Sequence, residues 1–421
     1  MGKNWITQAL VFTLLLLIGT LASAQILYLG YEEIVQAEGM DLQVDAYSVP
    51  CMADWNGDDL PDLLVGEGGI IYPGTVHLYL NIGALGEPSF SSAGHLQAVE
   101  ADLEVPGTAC MGAYPRVVFW NDDLLPDLIV GDAYGQVWLY LNEGEAGQPS
   151  LAAGMSLQVG PINEKTDIAV GGRATPIFID WNEDGLRDLV VGAYDGRLHI
   201  FINEGLDTEP DFITETFAQT ADGDLYVSGQ RSSPVIMDLD EDGIKDLLSG
   251  NTLGEILVYT NIGTNAVPLF DGFTQLESGG VPIDFEGTPR TRPFVCDWTG
   301  DGLLDLVTGL GDGRVHLFQG HPTAVPETAP FALLHRPWPN PANPRVNLSF
   351  TLEVAGPVNL SIYNVQGQHL STLIQAHHEA GRYDRVWNGR NGDGQELPSG
   401  VYFITLKSQN LVESRRVVLL R

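Results

Sequence analysis

Residues 237–250 read MDLDEDGIKDLLSG. Five carboxylates, those of Asp238, Asp240, Glu241, Asp242 and Asp246, fall within nine residues, directly ahead of an apolar run. At neutral pH such a concentration of like charge opposes folding unless something neutralises it. Counted from Asp238, side-chain oxygens stand at positions one, three, five and nine. Gly243 at position six permits a sharp turn.

The stretch is one of five. DWNGDDLPDLLVG starts at Asp54, FWNDDLLPDLIVG at Phe119, DWNEDGLRDLVVG at Asp180, DLDEDGIKDLLSG at Asp238 and DWTGDGLLDLVTG at Asp297. Successive starts are 65, 61, 58 and 59 residues apart, a repeat of roughly sixty. A proline and a short apolar segment precede each motif (PCMA, PRVV, PIFI, PVIM, PFVC). A Gly-led alternating segment follows it, such as GTVHLYLNIG or GRLHIFINEG, and four copies add EPSF, QPSL, EPDF or VPLF. Each repeat thus reads as four short strands divided by turn residues. Four-stranded units repeated around an axis predict an all-β fold, a β-propeller of five blades.

The ends of the array predict how the ring closes. The fifth repeat stops at Gly320 with three strands, while ILYLGYEEIVQ near the N-terminus is a strand with no partners of its own. Pairing the two removes two open sheet edges. The predicted organisation is a signal peptide at 1–24, the propeller at 25–320, a linker at 321–330 and a small antiparallel β-sandwich at 331–421.

The spacing of oxygens predicts calcium. Hard oxygens, several negative charges and a turn that curls around the ion are what this cation requires, and magnesium prefers to keep several waters. In the fourth repeat the expected ligands are Asp238, Asp240, Asp242, Asp246 and the carbonyl of Ile244. The third offers Asp180, Asn182, Asp184, Asp188 and the carbonyl of Leu186. The fifth offers Asp297, Thr299, Asp301, Asp305 and the carbonyl of Leu303. The first has Asp54, Asn56, Asp58, Asp62 and the carbonyl of Leu60, with Asp59 in place of the glycine. The second retains only Asn121, Asp123 and Asp127, because Phe119 replaces the first ligand and Leu124 the glycine; weak or no binding is expected there.

Composition narrows the function classes. The chain of 421 residues has 44% hydrophobic content, 49 Gly and 25 Pro, as a turn-rich globular protein does. A net charge of −35 excludes a nucleic-acid partner and disfavours anionic membranes. Lys3, the apolar run ALVFTLLLLIGTLA and Ala22-Ser23-Ala24 form an export signal, so no transmembrane anchor is expected in the mature chain. Cys51, Cys110 and Cys296 show no metal spacing. Buried free thiols are expected, with Cys51–Cys110 the pairing to look for.

Three further features stand out in the sequence. His77, His199 and His316 take equivalent positions in alternate repeats and are expected on sheet faces. Arg173, Arg231 and Arg290 each lie three residues before the repeat's proline, where Tyr47 and Gly112 stand in repeats one and two. That loop should open near the central channel, opposite the acidic loops. Three guanidiniums there could grip a carboxylate, sulfate or phosphate, or pair with Asp132, Asp195 or Asp312. Tyr134 and Tyr194 nearby could stack on sugars. No GxSxG, HExxH or phosphate loop is present.

The repeated pattern resembles the FG-GAP, or VCBS, repeats of integrin α-chain propellers and many bacterial surface proteins, over roughly residues 25–320. That resemblance implies structural calcium loops on one face and ligands on the other. The acidic loop is also similar to the first nine positions of an EF-hand loop, without its distal glutamate. From 331 onward, Pro339-Asn340-Pro341, Ile362-Tyr363-Asn364-Val365, Trp387-Asn388-Gly389 and Ser399-Gly400-Val401-Tyr402 resemble type IX secretion sorting domains and the Ig-like domain of flagellar hook-capping proteins. The resemblance implies contact with secretion machinery and release or surface attachment. The expected function is a secreted or cell-surface binding module with a polysaccharide or protein ligand. The alternative is a secreted glycosidase or lyase using the channel.

Overall fold

The computed structural model describes residues 27–420 except 69–72, 85, 108–111, 122, 146, 241, 286, 288–289, 322–331, 336, 338–341, 343, 353, 365–367, 393 and 409–410. The expected signal peptide, most of the linker and Cys110 with its pairing to Cys51 lie outside the described residues. Among the described residues Cys51 and Cys296 are free, Cys51 buried. Among the described residues the regular elements are strands, and no helix is long and apolar enough to cross a membrane.

Each repeat forms one twisted antiparallel sheet. Its innermost strand is the segment around the proline: Val49–Ala53, Tyr114–Val118, Thr175–Ile179, Ser233–Met237 and Arg292–Cys296 in blades one to five. The acidic hairpin leads from it into a second strand, which in blade one is Asp62–Glu67. Leu63, Leu64 and Val65 are all 0% exposed, which explains an unbroken apolar run where a half-solvated strand would alternate. The Gly-led segment supplies the third strand, such as Leu198–Asn203, and the last segment the fourth, such as Phe212–Phe217. In blade two the fourth strand is reduced to Met155–Ser156.

Two observations show how the sheets are arranged. The glycine ending each motif has no room for a side chain. A Cβ on Gly66 would lie 2.2 Å from the carbonyl oxygen of Ala113 in blade two, and one on Gly131 would lie 2.1 Å from that of Ala174 in blade three. Gly192 and Gly250 abut Ser232 and Thr291 in the same way, and Gly309 of the last sheet abuts Ser48 of the first at 2.0 Å. Apolar cores lie between consecutive sheets, and one joins Trp298, Val307 and Leu317 of the last to Val65, Tyr79 and Phe90 of the first. Burying a side chain of this size contributes about 1.5–3 kcal/mol. The sheets therefore surround a common axis as propeller blades do.

Closure uses the expected strand. Leu29–Ile34 pairs antiparallel with Val315–Gly320, in register Glu32↔Phe318 and Ile34↔His316, and becomes the outer strand of the fifth sheet. After the linker, a three-stranded sheet containing Val346–Leu352 and Gly381–Trp387 faces a four-stranded sheet containing Gly356–Asn364 and Gly400–Ser408. Phe350, Trp387, Ile362 and Ile404 fill the space between, as in an Ig-like sandwich.

Candidate metal centre and axial arginine cluster

The acidic hairpins share one construction, and their side chains build it. Position six takes a left-handed backbone throughout: φ is 66° at Asp59, 64° at Leu124, and 88°, 88° and 86° at Gly185, Gly243 and Gly302. Position five accepts from the amide two residues on, as Asp242 Oδ1 does from Ile244 N at 2.7 Å and Asp123 Oδ1 from Leu125 N at 2.8 Å. Position one accepts from the turn: Asp238 takes Asp242 N at 3.2 Å and Gly243 N at 2.9 Å. Asp54 and Asp297 do the same. These local bonds are the reason Asp and Asn occupy the positions.

In blade four the three leading carboxylates converge. Asp238, Asp240 and Asp242 each place an oxygen within 4.8 Å of the others. Burial, then Asp242 and Asp238, push the Asp240 carboxyl up. Oδ2 of Asp246, at position nine, is buried with no hydrogen-bond partner among the described residues, and burial pushes that carboxyl up to about 6. Clustered carboxylates with an orphaned buried oxygen beside them suit a hard divalent cation. In blade three, Oδ1 of Asp180 is likewise buried without a partner among the described residues. There the Asn182 amide donates to Asp184 at 2.8 Å, and in blade one Asn56 donates to Asp58 at 2.9 Å. Blade two has no first carboxylate, and Leu124 is 85% exposed.

Position nine has a second task that sequence reasoning missed. Asp62 accepts from Trp55 N at 3.0 Å and Asn81 N at 2.8 Å, Asp127 from Trp120 N at 2.9 Å and Asn142 N at 2.7 Å, and Asp188 from Trp181 N at 3.0 Å and Asn203 N at 2.8 Å. Asp305 accepts from Trp298 N at 2.7 Å and Gly320 N at 2.5 Å. These aspartates therefore tie the hairpin to the third strand. The recurrent Asn after LYL or IFI was the available signal. Its Oδ1 accepts from amides two and eight residues on, as Asn81 does from Gly83 and Ser89.

The inner strands run from the arginine positions to the acidic hairpins, so the two features lie at opposite ends of the axis. Arg173, Arg231 and Arg290 all take left-handed φ, as does Tyr47. Gly112 fills the place in blade two because a Cβ there would lie 2.1 Å from the Glu67 carbonyl oxygen. The acidic partners considered from sequence are engaged elsewhere. Asp132 accepts from Tyr134 N, Gln136 N and the Trp138 indole, Asp195 pairs with Arg197, and Asp312 with Arg314. Instead Arg173 donates to the Tyr114 hydroxyl, Arg231 lies 4.8 Å from the Tyr194 ring centroid, and Arg290 lies 4.9 Å from that of Tyr47. Tyr114 and Arg292, two residues along the strand from the arginine positions, join them. Period-two alternation was the signal for both.

Among the other residues singled out, His199 binds Glu215, His316 Nδ1 lies 2.5 Å from Glu32, and His77 Nε2 lies 2.9 Å from Ser92 Oγ. Glu67 accepts from Thr75 and from Asp45 N and contacts His95.

Comparison with known proteins bears on both domains. A model of the FG-GAP-like repeat matches residues 180–249, and a model of the FlgD Ig-like domain matches residues 343–411. No curated protein matches the chain. Among solved structures, a Bacillus subtilis glycoside hydrolase family 43 arabinoxylan arabinofuranohydrolase is 10% identical, with 91% of this chain and 98% of that one covered and a TM-score of 0.41. PorZ, a surface component of the Porphyromonas gingivalis type IX secretion system, is 12% identical, with 92% and 61% covered and a TM-score of 0.30. BBS1N in complex with ARL6DN is 12% identical, with 71% and 98% covered and a TM-score of 0.34. At these scores the neighbours assign no function. The chain thus carries an FG-GAP-like repeat within a propeller-like all-β domain, followed by a FlgD Ig-like domain.

Proposed function

We propose that this chain is an exported, calcium-stabilised five-bladed propeller that acts as a binding module outside the cell, with a polysaccharide or protein as ligand. The observation that carries the calcium reading is the convergence of Asp238, Asp240 and Asp242 beside the orphaned Oδ2 of Asp246. A divalent ion there would neutralise the repulsion and leave the apolar inter-blade cores free to set the ring. Asp180, Asp184 and Asp188 with Asn182, Asp297, Asp301 and Asp305 with Thr299, and Asp54, Asp58 and Asp62 with Asn56 offer graded versions of the site. Asn121, Asp123 and Asp127 offer the poorest.

The FG-GAP-like repeat fits an extracellular propeller. The C-terminal sandwich is proposed to be the sorting or attachment module that meets the secretion machinery, of the type IX kind. A glycan array probed with calcium and with chelator tests the binding role, alongside release of reducing sugars. Calcium-dependent retention of glycans without turnover supports it, and sustained turnover overturns it in favour of catalysis.

A further inference from the structure

Four guanidinium groups gather at the axial end away from the acidic hairpins. Arg173 and Arg292 form the floor, 3% and 0% exposed, and Arg231 and Arg290 are partly exposed above them. Arg173 donates through Nε at 2.9 Å, and also through Nη2, to the Tyr114 hydroxyl, and Arg292 Nε reaches the same oxygen at 3.4 Å. Arg290 and Arg292 lie 4.9 and 5.4 Å from the centroid of the Tyr47 ring. Further along the axis the channel is crossed by Arg116, which donates to the carbonyls of Pro50 and Pro293.

Among the described residues, four nitrogens are buried with no hydrogen-bond partner: Nη1 of Arg173, Nη1 of Arg231, Nε of Arg290 and Nη2 of Arg292. Among the described residues, no ion pair to a carboxylate involves any of the four arginines. Aromatic faces and one phenol oxygen do not neutralise four clustered cations, two of them fully buried, and burial lowers the proton affinity of both Arg173 and Arg231. This occurs in a chain whose net charge is −35. Such a set of fixed, unsatisfied N–H donors is what a bidentate oxyanion would complete.

We propose that this arginine cup is an oxyanion-binding site, taking a carboxylate, sulfate or phosphate group presented along the propeller axis. Tyr194, 43% exposed, lies at its mouth beside Arg231, so a ligand larger than the ion has a ring to rest on. The site stands whether or not calcium fills the opposite hairpins, since it shares no residue with them.

Tyr114 supplies an internal reporter. Burial alone would raise its phenol, but Arg173 and Arg292 overcome this and bring it down to about 7. Acting on it are Arg173 of blade three, Arg292 of blade five and Arg231 of blade four, with Arg290 of blade five beside Arg173 and Arg231. A bound anion and the phenolate compete for the same cations. Affinity should therefore be greatest with the phenol neutral and fall as pH rises through about 7.

The test is calorimetric titration of the full chain with inorganic sulfate, with inorganic phosphate and with an oligogalacturonate, each on wild type, Arg231→Ala and Arg290→Ala. Both arginines are partly exposed, and thermal melting verifies that the variants fold. At least a tenfold loss of affinity in each variant is expected, together with a shift of the Tyr114 tyrosinate absorbance transition to higher pH on adding sulfate, absent in Tyr114→Phe. Tighter binding of oligogalacturonate than of sulfate identifies a saccharide carboxylate as the source, and the reverse order a free ion. No binding of any of the three, or affinities unchanged in the folded variants, would overturn the proposal.

Discussion

The hairpins of blades two and four have nearly the same backbone and very different charge. Leu124 and Gly243 share the left-handed turn, and Asp123 and Asp242 each accept from the amide two residues on. Blade four adds Asp238 and Asp240, whose oxygens crowd those of Asp242; blade two has Phe119 and Asn121 at those positions. The turn is thus made by local hydrogen bonds and by the position-nine aspartate, with no demand for an ion. Asp240 does for the turn what Asn121 does, accepting from the amide two residues on, while Asp238 adds bonds to Asp242 N and Gly243 N that Phe119 cannot make. Together they add a concentration of like charge, which is a cost to the fold unless a cation offsets it.

Substitutions can separate the two layers. Asp127→Ala should be the most damaging change. It strands the buried amides of Trp120 and Asn142, and two unsatisfied donors cost roughly 2–5 kcal/mol in all. Denaturant unfolding should show that loss equally with calcium or chelator. Chelation of the wild type comes next: an ion held at a hundredfold its dissociation constant stabilises by about 2.7 kcal/mol, so melting should drop by several degrees. Asp242→Ala should then remove most of the chelator sensitivity, while Asp123→Ala leaves it intact; equal effects would erase the distinction between the two hairpins.

Much of this was legible in the sequence. The motif spacing gave the sheets, the spare strand at ILYLGYEEIVQ gave the closure, and the positions of Asp and Gly gave the turns. The second role of Asp62, Asp127, Asp188 and Asp305 was not legible, because its partners lie 15 to 19 residues away on another strand. Tyr114 and Arg292 escaped notice for a similar reason. They meet Arg173 across sequence separations of 59 and more, and only the ring brings them to one axis. Gly112 read as an exception to the arginine pattern, whereas its backbone lies too close to Glu67 for any side chain.

Two smaller effects sharpen the contrast. In chelator, Asp246 should make the protein less stable as pH rises. Its folded carboxyl sits near 6, above the ordinary range, so its contribution is full below about pH 4 and is lost as pH climbs through 6. Melting curves of Asp246→Asn should lack that slope, and calcium should reverse it in the wild type. Leu124→Gly should stabilise by about 0.5–1 kcal/mol, since relief of the left-handed leucine exceeds the entropy that glycine adds to the unfolded chain. A loss of stability there would mean that the exposed leucine side chain matters more than its backbone.

The most direct test is calorimetric titration of calcium into chelator-stripped protein, wild type against a variant carrying Asp238→Asn, Asp240→Asn and Asp242→Asn. Saturable binding whose tightest component disappears in the variant is the predicted result. An absence of saturable binding, or an isotherm identical in both proteins, would contradict a ring whose acidic hairpins are held by divalent ions.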